Sequence, residues 1–232
     1  MSNFYIPASA SFPQTSENRP LGDIIDDLAD YVGGGDRPAA QDRARRALRS
    51  SVRMFNVMSW RFNRQQQTIT LLNNTSDYAL ATAFRTFRAA LLLDAAGLVV
   101  DRLDWIAYED LARYDPSETT PGATSPDSYT ARNTFLTGIV TILPKLGTIN
   151  SQYPSVRLDY HSRIVIPTND AAILTVPVEV EEAIVLEAVA FLVSKTSSFA
   201  EGQIARAVAR EFRANVEREW RDWPDAAQGN QA

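Results

Sequence analysis

Few residues in this chain have side chains that could carry out catalysis. There is one histidine, His161, and no cysteine, so thiolate nucleophiles, disulfides and cysteine-based zinc sites are excluded. No G-x-S-x-G motif accompanies His161, so a Ser-His-Asp system would depend on tertiary proximity alone, and a structural or surface histidine is the preferred interpretation. Four aspartates have helical spacing rather than the spacing of a calcium loop; they are Asp23, Asp26, Asp27 and Asp30. The sequence predicts no catalytic residue, no metal site and no cofactor.

Two weaker patterns complete the survey of possible chemistry. Asp101 with Asp104, and Glu109 with Asp110, could act as carboxylate pairs in acid–base catalysis. Such pairs occur in nearly every soluble protein, so they indicate little. The glycine run at 33–35 lacks the Gly-Lys-Ser/Thr ending of a phosphate-binding loop and is interpreted as a helix stop and linker. We predict that the protein is not an enzyme, and a carboxylate-dependent enzyme is the least favoured alternative.

Arginines form the strongest charge pattern. Arg45, Arg46 and Arg49 lie in a predicted amphipathic helix that is rich in arginine. They could form a DNA-facing or inter-subunit basic face, or they could be solvated and partly paired with the acidic first helix. The second interpretation is favoured, because runs of charged residues on helices usually form only a solvent-exposed face.

Composition limits the possible classes of protein. The chain has 232 residues, of which 45% are hydrophobic, so it can bury a core as one large or two small domains. A net charge of −5 argues against a general nucleic-acid binder. The first residues lack the features of a signal peptide, and no apolar run approaches the roughly 18 residues that span a bilayer. We therefore expect synthesis inside a cell and no membrane association.

Helical periodicity predicts the elements that carry these residues at both ends of the chain. Residues 1–20 are expected to form an extended arm, and helices are expected over 21–59 and 177–221. Pro177 suits a first helical turn, and Ser198 begins a capping box. The predicted inward residues of the helix at 177 are Ile184, Ala188, Phe191 and Leu192. Those of the second helix are Ala44, Ala47, Leu48, Val52, Phe55 and Met58, and those of the last are Ile204, Ala205, Val208, Phe212, Val216 and Trp220.

The middle of the chain, 60–166, is predicted to be rich in β-structure. Strand patterns at 68–71 and 78–80 flank a turn, and residues 84–93 form a hairpin with 98–103 around Gly97. A short helix is the alternative for 84–93, because AFRTFRAALLL also fits helical spacing. The remaining predictions are a short helix at 106–114, a loop at 115–128, a hairpin around Thr137-Gly138, and a strand at 156–166 with Val156, Leu158 and Tyr160 on one face.

These elements predict an α+β fold, with antiparallel β hairpins in the middle of the chain and amphipathic helices on either side. We expect a single domain at 21–221, between the arm at 1–20 and a flexible tail at 222–232.

The order of elements resembles the head-to-tail adaptor proteins of tailed bacteriophages, also called connector or head-completion proteins. The resemblance covers about 21–220. It is carried by Asn56-Val57-Met58-Ser59-Trp60 at the end of a helix, by TITLLNNTSDYAL, by the hairpin around Gly97 and by DWIAYEDLARYDP before a proline-rich loop. It continues through Ile142-Leu143-Pro144 and through RLDYHSRIVIPTNDAAILTVPVEVEEAIVLEAVAFLV.

The resemblance implies a structural virion protein at the head–tail interface, made in the cytoplasm of a bacterial host. It implies a homo-oligomeric ring, usually of twelve copies, that docks on the portal protein, extends the DNA channel and presents a surface to the next neck or tail protein. Packaged DNA would pass through without sequence-specific binding. The alternative is a tail terminator or another tail-completion protein.

The resemblance also suggests where the portal contact lies, because family members often engage the portal through C-terminal helical segments. We expect this contact in 199–223. Its polar contacts would be Arg206, Arg210 and Arg213, and its anchors would be Trp220 and Trp223, since tryptophan is enriched in interfaces.

Overall fold

The computed structural model describes residues 18–32, 37–80, 84–113, 123, 125–133, 138–196 and 199–221. The chain divides into two units, one of Met1–Phe55 with Val165–Glu219, and one of Asn56–Ile164 with Trp220–Ala232. We call them the helical unit and the β unit. That they fold as a single domain stays a prediction. Most of the predicted arm, the loop at 115–128 and nearly all of the tail lie outside the described residues.

The helical unit contains four helices: α1 (Leu21–Asp30), α2 (Arg37–Phe55), α3 (Val178–Thr196) and α4 (Phe199–Trp220). The predicted spacing is confirmed in α1 and α2, whose buried residues recur every three or four positions. Met58 is the exception, since α2 ends at Phe55 and Met58 is half-buried beyond it. No helix in the described part of the chain combines the length and hydropathy that crossing a bilayer requires.

α3 is the most buried helix of this unit. The backbone carbonyl of Pro177 accepts hydrogen bonds from the Val180 and Glu181 amides, which confirms Pro177 at the start of the helix. Ile184, Ala188 and Leu192 are buried as predicted, but Phe191 is only half-buried. The reason is that α3 is apolar on most sides, so that periodicity alone does not select which face is most enclosed.

The start of α1 is joined to the segment before α3. The Leu21 and Gly22 amides donate to the carbonyls of Ala172 and Asp170, and the Asn18 amide donates to the carbonyls of Leu174 and Val176. These bonds satisfy amides at the beginning of a helix that has no side-chain cap. They fix the end of the N-terminal arm on the helical unit.

The β unit contains eight strands in two four-stranded sheets. The first has the order β1-β8-β3-β4, and the second has the order β2-β7-β6-β5. All pairs are antiparallel except β5 with β6, which is parallel. The strands are β1 (Arg64–Thr70), β2 (Asp77–Ala79), β3 (Phe84–Leu93), β4 (Val99–Arg102), β5 (Asp104–Trp105), β6 (Ser128–Asn133), β7 (Gly138–Leu143) and β8 (Ser155–Ser162). The predicted α+β class is confirmed.

Strand β8 is central to the first sheet because it pairs with both β1 and β3. Val156, Leu158 and Tyr160 are buried on one face, as the alternation predicts. They join the core of the unit with residues such as Ile69 and Leu92.

Residues 84–93 form a strand, so the helical alternative is wrong. Strand β3 pairs with β8 along its length and with β4 at its end. Its register shifts twice against β8, between Phe84 and Thr86 and between Phe87 and Ala89. Such irregularities blur a period of two in the sequence, which explains why helical spacing also fitted.

The hairpin around Gly97 is confirmed. Gly97 has a φ of 81°, which suits glycine. The Asp94 carboxylate accepts hydrogen bonds from the Ala96 and Leu98 amides across the loop. The predicted helix at 106–114 is only a 3₁₀ segment, Tyr108–Arg113.

Candidate interaction surfaces

The arginines of α2 fall into two groups that face different surroundings. The Arg45 guanidinium donates two hydrogen bonds to the Asp170 carboxylate, at 2.9 and 2.6 Å. These bonds lower the pKa of Asp170 and raise that of Arg45. Arg37 similarly lies 3.1 Å from Asp26. Arg45 is therefore part of the scaffold of the helical unit, because it ties α2 to the segment that precedes α3.

Arg46 and Arg49 belong to the other group. They line an open groove of about 610 Å³ between α2 and α3, together with Arg43, Arg53 and Lys195. Arg43 and Arg53 belong to the same arginine-rich helix but lie outside the predicted basic face of Arg45, Arg46 and Arg49. The signal for the arginines is their spacing of three, three and four residues on α2, which places them on one helix face. Lys195 comes from α3 and could be placed only by the tertiary structure.

Helix α4 presents a different surface. Its buried face consists of Gly202, Ala209 and Val216. Ile204 and Val208 are 55% and 49% exposed, so their predicted inward orientation is wrong. A Cβ on Gly202 would lie 3.1 Å from the Ser194 Cα, which shows how closely α4 approaches α3 at this small residue. Ile204 and Val208 are left on the outer face, whereas Val216 is buried as predicted and Phe212 is half-buried.

The predicted portal-contact residues are not equivalent in the structure. Arg206 and Arg210 are exposed. Arg213 instead is half-buried and pairs with Glu187 of α3 at 2.9 Å and with Glu217 at 3.4 Å. Arg213 is drawn inward because it lies on the same side of α4 as Gly202 and Ala209.

The two tryptophans also differ. Trp220 is half-buried in the β unit, where its ring packs edge-on against Phe62 with the ring centroids 6.1 Å apart. Its predicted inward orientation agrees with this packing. Trp223 lies outside the described residues.

Groups that might carry chemistry are instead used structurally. His161 is buried at the end of β8, with Nδ1 lying 3.4 Å from the Thr86 hydroxyl. Asp101 and Asp104 are both exposed. Asp26 and Asp27 are paired with arginines of their own unit. The described residues contain no cluster of three or more potential metal-ligating acids and histidines.

One buried carboxylate is held by the N-terminal segment. The Glu181 side chain accepts a hydrogen bond from the Arg19 amide at 3.4 Å, and it lies 3.7 Å from the Arg19 guanidinium. Burial raises the pKa of Glu181, and the neighbouring Arg19 partly opposes this rise. Glu181 therefore links the start of α3 to the N-terminal segment.

Comparison with solved structures gives two distant similarities to particles. One is described as "Virion of native gene transfer agent (GTA) particle", with 16% identity, a TM-score of 0.28, and coverage of 76% of this chain and 82% of that chain. The other is described as "Neck of empty GTA particle computed with C6 symmetry", with 15% identity, a TM-score of 0.27 and the same coverages. Because both TM-scores are low, they carry no argument about this chain.

Sequence-level comparison is more informative. Among curated proteins nothing matches the chain. The family model of the SU10 adaptor protein matches residues 19–231, which includes both the helical unit and the β unit. This match confirms the resemblance to head-to-tail adaptors. The chain belongs to the SU10 adaptor protein family.

Proposed function

We propose that the protein is a structural component of the virion that joins the head to the tail. Copies form a ring, a dodecamer by resemblance, that docks on the portal protein and extends the DNA channel. The opposite surface of the ring attaches the next neck or tail protein. The chain is made in the bacterial host cytoplasm and functions without catalysis or a cofactor.

The observation that carries this proposal is the exposed apolar face of α4. Ile204 and Val208 lie one turn apart and are both about half exposed, and Phe199 at the start of the helix is 83% exposed. A helix of a soluble protein normally turns such residues inward. Their outward orientation therefore favours burial against another protein molecule.

Two arginines of α4 are also exposed. Arg206 and Arg210 lie on a different side of the helix from Ile204 and Val208, because residues two positions apart do not share a helix face. Arg213 already pairs with Glu187. We assign the portal contact to the exposed sides of α4, with Ile204 and Val208 as its apolar contacts and Arg206 and Arg210 as its polar contacts.

The net charge fits a subunit around a DNA channel. A chain with a charge of −5 repels the phosphate backbone on average. DNA can then slide through the ring without being held. The basic residues Arg46 and Arg49 are available for contacts with other proteins, and Arg45 is not, because Asp170 occupies it.

The proposal is tested by assembly and by a change on α4. Electron microscopy of the purified chain should show rings, and the chain should co-purify with the portal protein of the same phage. Ile204→Glu with Val208→Glu should abolish the portal interaction and leave the thermal unfolding midpoint nearly unchanged, because both side chains are exposed.

The matched control is Gln203→Glu with Ala207→Glu. It adds the same charge to the exposed positions immediately before the stripe, and it should preserve binding. A wild-type chain that stays monomeric and binds neither the portal nor a neck protein contradicts the proposal. Binding to the ends of tail tubes, and not to portals, would select the tail-terminator alternative.

A further inference from the structure

The groove between α2 and α3 concentrates positive charge on one part of the helical unit. Arg43, Arg46, Arg49 and Arg53 follow one face of α2 over about 15 Å, given the rise of a helix, and Lys195 contributes from α3. All five side chains are exposed. Unpaired like charges at helical spacing repel each other and destabilise the helix slightly. The arrangement is therefore not explained by the stability of this unit.

Within the described residues, none of the five cations forms an ion pair with a carboxylate. Arg46 donates only to the backbone carbonyl of Asp42, at 3.2 Å. The contrast with Arg37 and Arg45 on the same helix is direct, because both of these have a carboxylate partner. Among the described residues the groove therefore lacks a counter-charge, which indicates an anionic ligand.

The floor of the groove identifies the kind of anion. It is formed by Val32, Phe191 and Leu192, and the Lys195 ammonium lies 4.3 Å from the centre of the Phe191 ring. A phosphate backbone gains little from apolar contacts, since its affinity comes mainly from charge neutralisation. A protein segment can bury apolar side chains on this floor and place carboxylates against the arginines. Arginine is suited to that role because its planar guanidinium can bind a carboxylate with two hydrogen bonds.

We propose that this groove binds an acidic, amphipathic helix of another protein, with the apolar side chains of that helix on Val32, Phe191 and Leu192 and its carboxylates on the arginines. This is the helix-in-groove mode of recognition with a basic rim. The inference deepens the proposed function, and it rests on that function only for the expectation that the partner is a neighbouring virion protein. The surface is separate from the apolar face of α4, so the chain has two surfaces of different chemistry.

The test uses the full-length chain and a labelled helical peptide that carries glutamates on one face and leucines on the other. Fluorescence anisotropy should show saturable binding that weakens as salt is added. Arg46→Glu with Arg49→Glu should weaken binding by at least about tenfold, which corresponds to about 1.4 kcal/mol. Arg46→Lys with Arg49→Lys should weaken it less, because the charge is kept and the bidentate geometry is lost.

The matched control is Arg61→Glu with Arg163→Glu. Both arginines are exposed and neither lines the groove, so the control makes the same change in net charge at other positions. It should bind the peptide like the wild type, and circular dichroism should show that every variant is folded. Equal loss in the groove variant and the control would overturn the proposal, since the effect would then be one of net charge.

Two other probes test the alternative ligands of the groove. A glutamate peptide without leucines should bind more weakly than the amphipathic peptide, and duplex DNA should bind more weakly still. DNA binding that exceeds peptide binding and is lost in the groove variant would overturn the proposal in favour of a nucleic-acid surface. If sedimentation shows that the groove variant changes self-association but not peptide binding, the groove is instead an interface between copies.

Ring formation is measured separately by electron microscopy, so the two proposals fail independently. A chain that forms rings and does not bind the peptide retains the proposed function and loses this inference. A chain that binds the peptide and forms no ring does the reverse.

Discussion

The α2–α3 groove and the outer face of α4 are two surfaces of one helical unit, and each lacks a different kind of partner. The groove has positive charge without carboxylate partners among the described residues, above an apolar floor. The α4 face has apolar side chains without cover, represented by Ile204 and Val208. The first is suited to an acidic segment and the second to an apolar surface.

The difference shows that counting arginines does not locate an interaction surface. Both α2 and α4 are rich in arginine, but Arg45 and Arg213 are held by carboxylates of their own unit. Among the described residues, Arg46 by contrast donates only to the backbone carbonyl of Asp42. Whether an arginine is structural or available depends on which carboxylates the fold brings near it. We assign the two surfaces by this distinction.

The largest effect is expected where the orientation of α4 is tested directly. Ala209 is 1% exposed and Val208 is 49% exposed, although they are neighbours in sequence. Ala209→Glu would bury a charge without a partner and should lower the free energy of unfolding by at least about 3 kcal/mol. Val208→Glu should change it little. Urea denaturation of both variants measures the difference, and equal destabilisation would mean that Val208 is buried after all.

The orientation of α4 could not be predicted from the sequence, and the reason is physical. Two stripes on this helix have suitable periodicity, one that includes Ile204 and Val208 and one formed by Gly202, Ala209 and Val216, and of the second stripe only Val216 was predicted to face inward. Pattern reasoning prefers the larger residues because they bury more area. The small stripe was chosen because it allows a close approach to α3, with Gly202 near Ser194. The seven-residue spacing of these small residues was the available signal.

Other parts of the fold were predictable to different degrees. The turn at Gly97 depends on local chemistry, and it was predicted correctly together with the strands on either side of it. The α1 and α2 helices were also predicted, because each buries one regular face. The groove was not, because Lys195 is distant in sequence from Arg43 and Arg53. Partners that are far apart in the chain are supplied by tertiary structure alone.

A smaller effect should distinguish the paired arginine of α4 from an exposed one. Arg213→Ala removes the partner of Glu187, whose side chain is 11% exposed. The loss of the charge partner of a largely buried carboxylate should cost about 2 kcal/mol. Arg206→Ala is the control, because Arg206 is exposed and should have almost no effect. If thermal and urea unfolding show the same stability for both variants, the Arg213 pair makes no net contribution to the fold.

The smallest effect concerns the two groups of arginines on α2, and it has a defined pH dependence. Arg45→Gln removes the hydrogen bonds that lower the pKa of Asp170. A carboxylate with a lowered folded-state pKa stabilises the fold above its unfolded-state pKa, which for aspartate is near 3.8. That contribution disappears as the pH falls through the folded-state pKa. Arg45→Gln should therefore lower the melting temperature slightly at neutral pH and have no effect in stronger acid. Added salt should reduce the difference, because the pair is exposed to solvent.

Arg46→Gln should leave the melting temperature unchanged or raise it slightly, because it removes a repulsive charge without breaking an ion pair. Calorimetry across this pH range measures both variants, and a loss of stability in Arg46→Gln matching that in Arg45→Gln would show that Arg46 also has a structural partner.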